Sequence, residues 1–228
     1  SVFSKRKGPK DYTADDFSKF LENYKSNYIP IPSPKRDSSK LVADIELSIS
    51  DYHLAKRHVD GDNDPVTRVM RFFDVAENLT EKVRSVYDIN KVVFPISNDF
   101  FHTDNYHKST TNGTPQDIIM DYASEYEQGF NVLVDTIKML KANSEHVEVI
   151  LVQGNHDRTK GFYLAHALDI YFKEDDNISF VREEGLVKAT VVGNTFIGFH
   201  HGNCKIDALP LLFATHPTYS KWFGDATY

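Results

Sequence analysis

Apolar residues along this chain follow two periods. Short runs rich in valine and isoleucine carry the period of a strand, and the longer stretches between them carry the 3.6-residue period of a helix. Thr13 is expected to open a helix with Asp16 at its third helical position and Phe17, Phe20, Leu21 and Tyr24 on one face. Ile29–Lys40, rich in proline and serine, reads as an extended connector. Residues 1–40 are therefore taken as an N-terminal helix and Pro-rich linker outside the main core, and residues 41–228 as one domain.

Within that domain Leu41–Ser50 is predicted as the first strand, with Ile45, Leu47 and Ile49 on one face. Asp64 before Pro65 is expected to cap a helix that runs to about Val86 and buries Val69, Phe72, Phe73 and Ala76. Lys91–Ser97 is the second strand, although Pro95 inside it points to an irregular or edge position. A long helix is predicted over Gln116–Asn143, weakened by Gly129, with Val132, Leu133, Ile137 and Leu140 facing inward. Val147–Val152 is a buried strand broken by Gly154, and Lys160–Phe172 is an amphipathic helix on which His166 is a packing residue. Three short strands close the pattern: Ile178–Val181, Leu186–Val192 and Thr195–Phe199.

The strands differ from ordinary core strands in the residues at their carboxyl ends. Asp51-Tyr52-His53 comes after the first, and Asn98-Asp99 with His102, Asp104 and Asn105 after the second. Asn155-His156-Asp157 comes after Gly154, and His200-His201-Gly202-Asn203 after the last strand. Asn and Asp favour turns, which accounts for one or two of these ends but not for histidine at three of them. Polar, ligand-capable groups at the carboxyl ends of strands are the arrangement of an α/β active site. The acidic loop Asp60–Asp64 lacks the glutamate that a calcium loop carries at its twelfth position, so Asp64 is assigned to the helix cap. Tyr106–Pro115 is a polar loop placed to shape access to these ends.

Composition narrows the class. With 40% hydrophobic and 26% charged residues the chain is an ordinary globular one. Its net charge of −7 gives no global attraction to nucleic acid, although Lys5, Arg6, Lys7, Lys10, Lys35 and Arg36 form a local basic group at the N-terminal end. The one cysteine, Cys204, excludes an internal disulfide and suits a reducing compartment, so a cytoplasmic location is expected. No apolar run is long enough to span a membrane. The chain opens at Ser1 without a methionine and ends at Tyr228 just after Gly224-Asp225, the pattern of an excised piece, so a further domain beyond either end is expected.

Asp51, His53, Asp99, Asn155 and His201 supply oxygen and imidazole nitrogen and no thiolate, a donor set for Mn, Fe, Zn or Mg. Two such ions about 3.5–4 Å apart can clamp a phosphoryl group and activate a bridging water, given a carboxylate shared between them. In chain order, Asp51-x-His53, Asn98-Asp99, Gly154-Asn155-His156-Asp157 and His201-Gly202 resemble the calcineurin-like metallophosphoesterase superfamily over residues of about 41–215. The resemblance implies an α/β fold, a two-sheet β sandwich flanked by helices in four layers. It implies two divalent metal ions, manganese foremost, with Asp51 and His53 on the first, Asp99 bridging, and Asn155 and His201 on the second. His200 is the competing ligand; His201 is preferred because the family sets its histidine directly before glycine. His156 would act beside the phosphoryl oxygens, stabilising charge or protonating the leaving group, and Asp157 would be an orienting residue or a helix N-cap.

Three departures from the family pattern matter. Asn98 replaces the usual glycine, which a left-handed asparagine tolerates. His102 replaces the aspartate of the phosphomonoesterase branches, and Asn98-Asp99-Phe100-Phe101-His102 is instead similar to the double-strand-break repair nuclease branch, where a histidine at that position helps engage the phosphodiester. No G-H-x-H occurs before Tyr228, and one is expected shortly beyond it. The function implied is a metal-dependent phosphodiesterase or DNA exonuclease-like enzyme acting through attack of a dimetal-bound hydroxide on DNA, nucleotides or another phosphoester. A phosphomonoesterase and a non-catalytic scaffold on the same fold are the alternatives.

Overall fold

The structure, a computed structural model, describes residues 26–59, 61, 63–202 and 205–223. The helix expected from Thr13 and the basic group at Lys5–Lys10 lie outside the described residues, as does Cys204. Four strands, β1 (Leu41–Glu46), β2 (Tyr87–Ser97), β3 (Ser144–Val152) and β4 (Ile178–Val181), form a wholly parallel sheet in the order β1-β2-β3-β4. Each crossover carries a helix: α1 (Pro65–Arg84), α2 (Tyr122–Asn143) and α3 (Arg158–Phe172). Crossovers between parallel strands keep one hand, so an order that never reverses sets all three helices on one face and leaves the other to be covered. That other face is met by an antiparallel hairpin, β5 (Val187–Val192) and β6 (Thr195–His200). The short helices α4 (Leu209–Thr215) and α5 (Ser220–Phe223) come after it.

Alternation along the strands divides the core accordingly. Val92, Phe94 and Ile96 of β2 and Val147, Val149 and Leu151 of β3 pack with Phe72, Leu133, Ile137, Leu140, Leu164 and Leu168 of the helices. Their neighbours Val93, Ile150 and Val152 face the hairpin and meet Val192 and Phe199. A strand buried on both faces reads as a continuous apolar run, which is why the period-2 signal is weak in Val147–Val152. The far side of the hairpin carries Val187, Ala189 and Phe196 against Phe213 of α4. No helix among the described residues is long and apolar enough to cross a membrane.

Several boundaries differ from expectation for local reasons. β1 ends at Glu46, not Ser50, because its ladder to β2 cannot continue past Pro95. Asn98 donates its N–H to Val152 of β3, so by alternation the nitrogen of Pro95 faces β1 and offers no proton there. Pro95 therefore lies in a central strand, not at an edge. The face predicted for Ile45, Leu47 and Ile49 is kept, with Leu47 buried and the other two packed against the core. Asp64 caps α1 as expected, accepting from Thr67 N at 2.8 Å. α2 begins at Tyr122, later than Gln116, because Asp121 accepts from the N–H groups of Ala123 and Ser124 and sets the start there. Gly129 in α2 is a contact point: a Cβ there would run into the rings of Phe100 and Phe101. The Pro-rich stretch packs on the domain, with Tyr28 in the main core and its hydroxyl donating to Asp175 at 2.8 Å.

Candidate metal centre at the carboxyl edge of the sheet

Parallel strands end at one edge, so the segments after β1, β2 and β3 meet there. Beyond β1 the chain stays beside the segment after β2: Asp51 N donates to Asn98 O at 3.1 Å, His53 N to Asp99 O at 2.9 Å and Leu54 N to Phe100 O at 2.7 Å. The backbone here is unusual. Asp51, His53, Ala55, Asn98 and Asp99 all have φ between 49° and 72°. Left-handed backbone costs of order 1–3 kcal/mol per residue where the side chain is not suited to it, and Asn, Asp and His tolerate it best. Asn98 takes the conformation expected of a glycine substitute. Gly154 is needed for a different reason. A Cβ on it would stand 2.5 Å from Asp99 N and 2.8 Å from Asp157 Oδ1, and closer still to Asp99 Oδ1.

Asp99, almost fully buried, is the centre of the arrangement. Its Oδ1 accepts from His156 N at 2.7 Å, and its Oδ2 lies 3.6 Å from His201 Nε2. On one side Asp51, His53 and Asp99 present ligand atoms all within 4.8 Å of one another. On the other, His201 Nε2 is 2.6 Å from Asn155 Oδ1, and its Nδ1 is 2.6 Å from Asn98 Oδ1. Alternation in β6 decides between the two histidines: Phe199 and His201 face the parallel sheet, whereas His200 shares the parity of Phe196 and Gly198, which meet α4. His200 Nδ1 instead accepts from Gly202 N at 2.8 Å.

His102 and His156 complete the site. Together with His53 they present a second group of ligand-capable nitrogens within 4.8 Å of one another, their ring centroids 4.6 to 5.1 Å apart. His53 Nδ1 and His102 Nδ1 are 3.1 Å apart. His156 Nδ1 lies 3.0 Å from the carbonyl oxygen of His102, which can only accept, so the proton is on Nδ1 and Nε2 is left as the working nitrogen. Burial, with the neighbouring His53 and His156 adding to it, pushes His102 down to about 3. Burial likewise lowers His53, with His156 reinforcing it and Asp99 opposing. Neutral imidazole is the form that ligates a metal.

Four buried groups hold this geometry, and of these sequence reasoning gave a role only to Asp157. Asp157 stands at the N-cap position of α3 but makes no capping bond; its Oδ2 accepts from Phe101 N at 3.0 Å, so it orients the turn and does not cap the helix. Asp104 Oδ1 accepts from Lys160 N at 2.7 Å. Glu125 of α2 accepts from His102 N at 3.1 Å and from the Thr103 hydroxyl at 2.9 Å, and pairs with Lys160 Nζ at 2.6 Å with both side chains at 0% exposure. Their signal was available: Glu125 and Lys160 each lie on the apolar stripe of an amphipathic helix, where an ionised group needs a partner. The polar loop also belongs here, since Thr111 N donates to Asn155 O at 3.1 Å and Arg158 N to Thr111 Oγ1 at 3.2 Å.

The five sequence-selected donors Asp51, His53, Asp99, Asn155 and His201 are thus brought to one place, with Asp99 between two pairs. All-oxygen-and-imidazole donors about one buried carboxylate can hold divalent cations. Comparisons with protein-family models, with curated proteins and with solved structures returned no match for this chain.

Proposed function

We propose that this chain is a divalent-metal-dependent phosphoesterase of the calcineurin-like kind, acting on phosphodiesters. The observation that carries the reading is the position of Asp99, a buried carboxylate with Asp51 and His53 on one side and Asn155 and His201 on the other. The succession of helices, parallel sheet, hairpin and α4 fits the two-sheet sandwich that the sequence motifs imply. Asp51 and His53 would hold one ion, Asn155 and His201 a second, and Asp99 both; N and O donors suit manganese, with Fe, Zn and Mg also compatible. Such ions supply Lewis-acid polarisation of a phosphoryl oxygen and a water of lowered pKa.

The chain's own residues do the rest. His156, its Nδ1 fixed on the His102 carbonyl, would turn Nε2 to the phosphoryl oxygens or the leaving group; as an imidazolium it would stabilise charge there or give its Nε2 proton to the leaving oxygen, which leaves the ring as the Nδ1–H tautomer. His102 is neutral and brings no carboxylate charge to this position, which favours a diester bearing one negative charge and two esterified oxygens. In manganese, the protein is expected to hydrolyse bis-p-nitrophenyl phosphate faster than p-nitrophenyl phosphate, and chelation should abolish both. A faster monoester reaction would reassign the substrate class. Full manganese occupancy with no turnover of either ester would make the chain a metal-binding scaffold.

A further inference from the structure

A second concavity adjoins the Asn155–His201 side of the centre. It encloses about 410 Å³, the size range of small-ligand sites. One wall is Gln153 and Arg158, which bracket the Gly154-Asn155-His156-Asp157 turn. Glu184 and Leu186, in the connection from β4 to β5, also line it. Val187 pairs with His200, so continuing that antiparallel register places Leu186 opposite His201. The concavity is therefore flanked on both sides by the segments that deliver Asn155 and His201. Its lining includes Phe162 and Tyr163 of α3, rings 5.9 Å apart and steeply inclined, with Tyr163 58% exposed. Lys188, itself 2% exposed, donates from Nζ to Gly185 O at 3.0 Å and fixes the connection from β4 to β5.

Aromatic faces with an arginine beside them are the chemistry that holds a nucleobase: the rings stack on it and the guanidinium adds a cation–π or phosphate contact. Gln153 and Glu184 add an amide and a carboxylate able to meet the polar edge of a base. None of these groups is needed to hold a metal. Resting on the phosphoesterase reading, we infer that this concavity binds the nucleoside on one side of the scissile phosphate, so that the substrates are nucleotide diesters and not simple alkyl or aryl ones. Tyr163 supplies the stacking face, Arg158 the cation, and the Asn155–His201 side of the centre receives the adjoining phosphate.

The test compares thymidine 5′-(p-nitrophenyl phosphate) with methyl p-nitrophenyl phosphate in manganese, since the leaving group is the same and only the nucleoside differs. The thymidine ester is expected to show a KM at least tenfold lower. Tyr163→Ala should raise its KM by about 5- to 100-fold, the range of one lost base–aromatic stack, with kcat within about twofold. Tyr163→Phe should restore the KM, and Arg158→Ala should raise it with the same split. Equal KM values for the two esters, or a Tyr163→Ala protein with unchanged KM for the thymidine ester, would overturn the subsite while leaving the phosphoesterase reading intact. If neither ester turns over, calorimetric titration with thymidine 5′-monophosphate decides. Binding that Tyr163→Ala weakens at least fivefold upholds the subsite without catalysis, and no binding removes it.

Discussion

At the scale of single residues, the site is organised by how little room surrounds one glycine. Gly154 lies against the backbone and carboxylate of Asp99 and against Asp157, none of which is a flexible side-chain tip that could swing aside. Asp99 is held by His156 N, and Asp157 by Phe101 N, so a methyl group at 154 must move the Asp99 carboxylate, the turn carrying His156, or both. Overpacking of this kind costs about 1–3 kcal/mol, and a displacement of about 1 Å at a catalytic group can cost 10²-fold in rate. Gly154→Ala should therefore lower Tm only modestly but reduce manganese affinity and kcat on bis-p-nitrophenyl phosphate at least tenfold. Wild-type metal binding and rate in that variant would show that Asp99 is not the fixed centre described. The sequence marked Gly154 as a strand breaker, which is correct for its position and silent on this contact. Close approach between residues 99 and 154 belongs to the sheet, where β2 and β3 are neighbours, and not to either local pattern.

Among the elements, α2 and α3 do more than cover the sheet. Each sends one ionised side chain from its apolar stripe into the space behind His102, and the Glu125–Lys160 pair there is fully buried. Burial lowers Lys160 against the pull of Glu125, and Glu125 also accepts from His102 N and the Thr103 hydroxyl. Removing one partner of a buried pair costs about 3–5 kcal/mol, whereas replacing both by apolar residues of similar volume can be close to neutral. Glu125→Ala should lower stability to chemical denaturation by about that amount. The double variant Glu125→Leu/Lys160→Met should recover most of it yet keep kcat on the diester at least tenfold below wild type, because the Glu125 carboxylate no longer holds His102 N and the Thr103 hydroxyl, leaving His102 N only the Leu54 carbonyl at 3.2 Å. Recovery of both quantities together would reduce the pair to a packing feature. Element types were legible because β-branched runs and helical spacing are local: α1 declares itself through Asp64-Pro65, and β3 through its mostly β-branched run Val147–Val152. Element ends were less so, since β1 stops where a proline on its neighbour lacks a proton and α2 starts where Asp121 outcompetes the preceding turn.

At the scale of the molecule, the centre is assembled from two sheets. Asp51, Asp99 and Asn155 lie beyond strands of the parallel sheet, but His201 lies beyond β6 of the hairpin. The distance between His201 and Asp99 is therefore set by how the sheets pack. Across that interface Thr190 donates to Glu148, which is paired with Lys91 at 2.8 Å, and Val192 and Phe199 meet Val93, Ile150 and Val152. Nothing in the local sequence around His200-His201 contains this distance, which is why composition and motif left two candidates there and strand parity in the folded hairpin separates them. Phe199 is the side chain nearest His201 on the same face of β6, two residues before it, so it acts as the spacer between the sheets at the end that carries His201. Phe199→Ala would remove that spacer at a cost of about 2 kcal/mol, below the ~3–5 kcal/mol of a fully buried phenylalanine because the ring is only partly covered. His201 would then lose register with Asp99 and Asn155, while Asp51 and His53, held by the backbone bonds to Asn98 and Asp99 beside the parallel sheet, would not. Supporting residues around a metal site shift affinity by about 10- to 100-fold. Calorimetric titration of the chelator-stripped variant with manganese should accordingly resolve one ion bound within threefold of wild type and a second weakened at least tenfold. Equal weakening of both ions would mean that the two sheets move as one body, and that Asp99 rather than the hairpin sets the second site.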